Sequence, residues 1–303
     1  MATDTDLLAE LSELRRARRA VILAHNYQLP EIQDLADYVG DSLGLSRQAA
    51  ATDAEVIVFC GVHFMAQTAK LLSPGKTVLM PDPTAGCPMA DMIGPDDVRD
   101  FRASYPKCPV VAYVNTTAEV KAEVDICCTS GNAVAVVRSL PEPRIIFVPD
   151  QYLADWVERQ VPEKELIRYP GCCVVHVRIK PEDILALKRE RPTAPVVAHP
   201  ECPPDVLDLA DHVASTEGMV RFTRQSPALA FIIVTEREMT YRLKRENPAK
   251  TFYPLPTAIC VNMKKTTLPK VVGCLREMTG EITIPEEIAI RARRFVQRMI
   301  DLG

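Results

Sequence analysis

The sequence predicts an α/β fold of three homologous parallel-sheet domains, each a three-layer αβα unit, set around a pseudo-threefold axis. Residues 24–37 (AHNYQLPEIQDLAD) and 198–211 (AHPECPPDVLDLAD) are near-copies that open on Ala-His and close on Asp-Leu-Ala-Asp. A more diverged copy, AYVNTTAEVKAEVD, fills 112–125, at offsets of 88 and 86 residues. Beyond these windows, short apolar runs and turn residues keep the same phase through most of the chain, a self-similarity to be settled before any local signal.

The elements follow in order. MATDTDLLAELSELRRARRA has the amphipathic spacing of a helix, acidic and then basic, with no signal-peptide core. Each unit then reads as four strands alternating with four helices. The first strands are AVILAH (20–25), PVVAY (109–113) and PVVAH (195–199), β-branched runs ending in an aromatic ring or imidazole. The short second strands lie in YVGDSLGLS (38–46), ICCTSGNAV (126–134) and HVASTEGMV (212–220). The third are VIVFCG (56–61), RIIFVPD (144–150) and FIIVTE (231–236), and the fourth TVLMPD (77–82), ELIRYP (165–170) and TFYPLP (251–256). LSRQAAATDA and PEDILALKRERP show the helical pattern between them, the latter with proline at a favoured first position. Strands alternating with helices imply parallel sheets with right-handed crossovers. Unit boundaries are expected at 20–107 (after an N-terminal helix, 1–19), 108–193 and 194–281 (before a C-terminal helix, 282–303). Each unit is large enough to bury a core, and three similar units close most simply around an axis.

Bulk composition excludes several classes. With 303 residues, 47% hydrophobic content, 25% charged residues and a net charge of −4, the chain is ordinary for a globular protein. It has no basic run to suit nucleic acid and no apolar run of membrane-spanning length, so a cytoplasmic location is expected. Ten cysteines are many for such a chain. In a reducing compartment some become candidate metal ligands or nucleophiles, although Cys60, Cys108, Cys202 and Cys274 read as small buried hydrophobes.

In parallel α/β sheets, ligands bind outside the carboxyl ends of the strands. His25, Tyr113 and His199 fall there after the first strands, and Ser42, Ser130 and the pair Ser215–Thr216 after the second, beside Gly44, Gly131 and Gly218. Hydroxyls at helix starts can be plain N-caps. Three sets converging on an axis would instead hold a substrate carrying carboxylates or a phosphate. Glu201 follows His199 by two residues, Tyr27 follows His25, and Asn115 follows Tyr113, so each pair faces one side of an extended segment. His63 and His212 carry no such signal.

After the fourth strands come AGCPMADM, PGCCVVH and AICVNMKK. Cys87, Cys173 and Cys260 are spaced by 86 and 87 residues, matching the repeat, whereas Cys172 gives 85 and 88. One thiol per unit suits either a zinc ion with an open fourth position or a 4Fe–4S cluster with one iron free of protein. His176 follows Cys173 by three residues.

These residues carry a resemblance. LAHNYQLPEIQDLADYVGDSLGLS, FCGVHFMAQTAK, PDPTAGCPMADM, YVNTTAEVKAEVDICCTSGNA, PGCCVVH, HPEC, ASTEGM, CVNMKKTTL and MTGEI, in that order, are similar to the quinolinate synthase family from Val21 to about Arg298. The resemblance implies three homologous α/β domains and a 4Fe–4S cluster held by Cys87, Cys173 and Cys260. It implies condensation of iminoaspartate with dihydroxyacetone phosphate to quinolinate, phosphate and two waters, in de novo NAD biosynthesis. The cluster would act as a Lewis acid in dehydration, with functional coupling to an L-aspartate-oxidising enzyme. Carried over residue by residue, Glu201 and Tyr27 are the expected acid–base pair, with His25 in the catalytic set. His25, Ser42 and Ser130 would bind one anionic group, His199, Ser215 and Thr216 another, and Tyr113, Asn115 and His176 would complete the pocket. Cys172 departs from the family pattern, and the Cys-x-x-Cys-x-x-Cys run that some members carry near the third ligand is missing. The alternatives are a zinc-dependent lyase or hydrolase and a non-enzymatic iron–sulfur sensor on the same scaffold.

Overall fold

The computed structural model describes residues 3–302. Helix α1 (Asp4–Ala17) is followed by three four-stranded, all-parallel sheets. The first holds β1 (Ala20–His25), β2 (Tyr38–Gly40), β3 (Val56–Cys60) and β4 (Thr77–Leu79) in the order β2-β1-β3-β4. The second holds β5 (Val110–Tyr113), β6 (Ile126–Cys128), β7 (Arg144–Val148) and β8 (Glu165–Arg168) in the order β6-β5-β7-β8. The third holds β9 (Val196–Ala198), β10 (His212–Val213), β11 (Ala230–Val234) and β12 (Thr251–Pro254) in the order β10-β9-β11-β12. The expected three-lobed α/β architecture is therefore what the chain adopts, with one topology used three times. The central strands are buried almost end to end, as sheets covered on both faces require.

The repeated Asp-Leu-Ala-Asp has a structural purpose. Its last aspartate, and the equivalent Asp125, ties the entrance of the first strand of each sheet to that of the second. Asp37 accepts from Ile22 N at 2.8 Å, Asp125 from Val110 N at 2.7 Å and Asp211 from Val196 N at 2.8 Å. A lysine before the fourth strand makes a second threefold tie, donating to the carbonyls that end the helix after the second strand. Lys76 reaches Ala49 O and Thr52 O, Lys164 reaches Leu140 O, and Lys250 reaches Ser226 O.

The lobes are interlocked rather than strung in a line. The helix following each fourth strand packs on the next lobe. Helix α5 (Pro95–Ser104) meets the short helix α6 (Ala118–Lys121) of the second lobe, and α9 (Pro181–Glu190) lies on β11 of the third. Helix α13 (Leu268–Glu277) returns to the first lobe, where Leu268, Val271, Val272 and Leu275 share a core with Ile22, Val58 and Leu11. The handover is cyclic, and it closes the ring. The last helix, α14 (Glu286–Leu302), buries Ala292, Val296 and Met299 in the core shared by the first two lobes.

After α13 the chain runs antiparallel beside β4: Met80 N donates to Gly280 O at 2.8 Å and Ile282 N to Val78 O at 2.9 Å. Gly280 has φ +75°, and a Cβ there would lie 2.3 Å from Met80 O. Gly280→Ala is therefore expected to lower stability by about 1–3 kcal/mol. Gly273→Ala, inside α13 with nothing within 4 Å of the added carbon, is expected to raise it by up to about 1 kcal/mol. Anaerobic urea unfolding of the two variants checks this contrast in sign.

Candidate functional site

The carboxyl ends of all three sheets open on one cavity at the centre of the ring. Its walls carry His25, Tyr27, Ser42, Tyr113, Asn115, Ser130, His176, His199, Glu201 and Thr216, and with them Cys87, Cys173 and Cys260. Every candidate site residue but one thus borders the same space. The exception is Ser215, which sits behind the wall as the N-cap of α11 (Thr216–Gln225), accepting from Gly218 N at 3.3 Å. Two helix starts also differ from expectation. Helix α3 (Ser42–Ala51) is capped by Asp41, so Ser42 is its first residue and its hydroxyl is not the cap. Helix α7 (Ala133–Ser139) begins three residues after Ser130, because Thr129 N and Asn132 Oδ1 (2.8 Å) close a turn in TSGN first.

The repeat gives two imidazoles the same tautomer. Tyr27 N donates to His25 Nδ1 at 3.2 Å, and Glu201 N donates to His199 Nδ1 at 3.4 Å. With Nδ1 accepting, Nε2 carries the proton in each ring. That of His199 lies 3.2 Å from Ser130 Oγ. Burial pushes both rings down to about 3, so they stand neutral at pH 7. The result is a pair of uncharged donors at the cavity, one from each near-copy of the opening motif.

Glu201 has Asn115 Nδ2 at 3.3 Å from Oε1 and His176 Nδ1 at 2.8 Å from Oε2. Burial disfavours its charge, but the neighbouring His176 ring and the Tyr113 hydroxyl favour the carboxylate and hold it below the usual range. Tyr27 is shifted the other way: burial, reinforced by Glu201, raises its phenol well above the usual tyrosine range. A carboxylate and a phenol pushed apart in this way form a base and an acid in one pocket. Between them lies a residue that sequence reasoning missed, Thr235, whose Oγ1 is 2.6 Å from Tyr27 Oη and 2.8 Å from His176 Nε2, while His176 Nδ1 lies 2.8 Å from Glu201 Oε2 without the alignment of a hydrogen bond. Asn115 Oδ1, buried beside Glu201, has no hydrogen-bond partner among the described residues, which leaves an acceptor for a ligand.

Glu236 was missed too. It is fully buried, follows β11 as Asp150 follows β7, and accepts from Cys260 N at 3.2 Å and Lys264 at 2.8 Å. Both acids accept from the N–H two residues on, and their shared phase in VPD and VTE was a signal present in the sequence. Lys264 also donates to Tyr27 O, so this pair fastens the Cys260 loop to the first lobe.

The two metal readings require different spacings of the donor atoms. Cys173, His176 and Glu201 each offer an atom within 4.8 Å of the other two; the three cysteine sulfurs do not form such a set. One tetrahedral zinc, with bonds of about 2.3 Å, needs its thiolates about 3.8 Å apart. A cubane cluster spreads its ligands over separate corners, so the wider triad suits it better. Burial raises all three thiols, Cys87 to about 12, so they are protonated when unligated and release protons on binding metal. Cys172 does not border the cavity; its N–H points to Met92 Sδ at 3.5 Å. Of the remaining cysteines, Cys60, Cys108, Cys127, Cys128, Cys202 and Cys274 are buried elsewhere in the lobes, while His212 stacks on Phe222 at 4.0 Å.

Comparison with known proteins gives one answer. The model of the family described as "Quinolinate synthetase A protein" matches residues 9–301. The curated "Quinolinate synthase" of Thermodesulfovibrio yellowstonii is 55% identical over 294 residues, 97% of each chain. That of Dehalococcoides mccartyi is 56% identical over 298 residues, 98% of each chain, and that of Methanoregula boonei 53% identical over 301 residues, 99% of each.

Asp41, on the cavity wall and 8% exposed, gives a pH prediction. Burial raises its carboxyl from 3.8 to about 6, with Glu217 adding to the rise. The folded state therefore binds this proton more tightly than the unfolded state, and the stability so gained is lost as pH climbs from about 4 through 6. Asn caps a helix as well as Asp. Asp41→Asn is expected to raise the thermal midpoint at pH 8, by roughly 2–4 °C for each kcal/mol relieved, with the gain vanishing near pH 4. Thermal unfolding across that range checks it.

Proposed function

The chain belongs to the quinolinate synthetase A family, and from that premise we propose that it is a quinolinate synthase. It condenses iminoaspartate with dihydroxyacetone phosphate, releasing phosphate and two waters, in NAD biosynthesis. The observation that carries this reading is that three half-buried thiols, one from the equivalent loop of each lobe, line a cavity that also holds a carboxylate–phenol pair and neutral imidazole donors.

Cys87, Cys173 and Cys260 would hold the 4Fe–4S cluster. Bound there, the cluster supplies a Lewis-acidic iron that polarises an oxygen due to leave as water. The remaining work falls to side chains. The neutral His25 and His199 rings, with Ser42, Ser130 and Thr216, offer hydrogen-bond donors to phosphate and carboxylate groups and position the two substrates against each other. Glu201, ionised, takes protons from carbon and nitrogen as the bonds form. Tyr27, protonated, returns a proton to a departing oxygen, and Thr235 and His176 lie between the two as a path for it. The buried Val62, Phe64, Met89 and Val175 on the wall keep bulk water from competing.

The substrates are small molecules; among the described residues no helix is long and apolar enough to cross a membrane. An L-aspartate-oxidising enzyme is the reaction class that would supply iminoaspartate.

Anaerobic assay with the two substrates is expected to yield quinolinate. Glu201→Gln is expected to lower kcat by about 10²–10⁴-fold, with iron content unchanged. Cys87→Ala, Cys173→Ala and Cys260→Ala are each expected to lose the cluster, read as iron, sulfide and visible absorbance, whereas Cys172→Ala keeps it. Colourless wild-type protein with one zinc per chain would instead support the zinc-dependent reading.

A further inference from the structure

Asn26 lies between His25 and Tyr27, in the turn that Gln28 N closes on His25 O at 3.0 Å, and does not border the cavity. It is fully buried. Its Oδ1 accepts from Arg242 at 2.6 Å, and its Nδ2 donates to Thr216 Oγ1 at 2.7 Å. Arg242, on α12 (Met239–Glu246), is itself held by Glu246, at 2.8 Å, and by Glu217.

The polarity of this chain follows from chemistry alone. A guanidinium only donates, so the amide atom facing Arg242 is the oxygen, and the atom facing Thr216 is the NH₂. An NH₂ only donates, so the Thr216 oxygen must accept. A hydroxyl has one proton, and that proton is then left over. Thr216 is the first residue of α11, is 3% exposed, and borders the cavity. Its proton has no acceptor among its hydrogen bonds to described residues, so the open direction is the cavity.

We propose that Asn26, held in one orientation by Arg242, fixes the Thr216 hydroxyl as a hydrogen-bond donor to an anionic group bound in the central cavity. Asn26 is a positioning residue, and the relay runs from the third lobe through the first and back to the third. The inference rests on the proposed function for the identity of its ligand, an anionic substrate group, but not for its geometry.

Asn26→Asp tests it almost isosterically. The carboxylate keeps its partner Arg242 but only accepts, so Thr216 must donate to it and its proton leaves the cavity. The measurements are kcat and KM for each substrate under anaerobic conditions, and calorimetric binding of quinolinate and of inorganic phosphate to the cluster-loaded protein. The expected result is a KM for one substrate raised about tenfold to a hundredfold, matching weakening of one probe, and kcat within a few-fold of wild type. Arg242→Gln, which unpins the amide, is expected to raise the same KM less. In a Thr216→Val background Asn26→Asp is expected to add little, since the group it acts through is gone. Unchanged KM and binding in Asn26→Asp, or an equal further loss on top of Thr216→Val, would overturn the inference. If wild-type protein forms no quinolinate, the proposed function fails by itself, and the calorimetry still decides the role of Asn26.

Discussion

The apolar face that each lobe receives from its neighbour is what everything else rests on. A four-stranded parallel sheet must be covered on both faces, and here part of that cover comes from the helix following the previous lobe's last strand. Because α13 carries this cover back to the first sheet, the three sheets are held in fixed relation. Their carboxyl ends then point at a common space. The catalytic geometry is a by-product of hydrophobic burial, and the buried area at these seams keeps three sulfurs from distant parts of the chain in one wall.

Within that wall, electrostatics are set by exclusion of water more than by charge pairing. Burial keeps two imidazoles neutral and two phenols protonated, while one carboxylate stays ionised beside His176, an amide and a hydroxyl. The same local turn, an N–H two residues on reaching back to Nδ1, sets the tautomer of both ring donors. A motif copied at the level of sequence therefore copies a protonation state.

Much of this was legible in the sequence because the repeat amplifies weak signals. One Ser or one Cys in a loop means little, but the same type at an 87-residue phase marks equivalent strand ends, which is why Cys87, Cys173 and Cys260 could be chosen over Cys172. Legibility failed where the lobes differ or touch. Thr216, not Ser215, has the phase of Ser42 and Ser130; Ser215 stands where Asp41 stands in the first lobe, and its hydroxyl is likewise spent as a helix cap. Thr235 acts across lobe boundaries, and its contacts 59 and 208 residues apart leave no periodic trace. The lysine ties at 76, 164 and 250 were in phase as well, but a cationic residue before a strand reads as solvated until its carbonyl partners are known.

The cyclic handover also bears on how the molecule is made. The first sheet emerges from the ribosome long before residues 268–275, which complete its core, and α1, which leads the chain, rests on that same late helix. Vectorial synthesis therefore leaves the first lobe half-covered until nearly the whole chain exists. A truncated product lacking its last forty residues would expose that face, since those residues include all of α13.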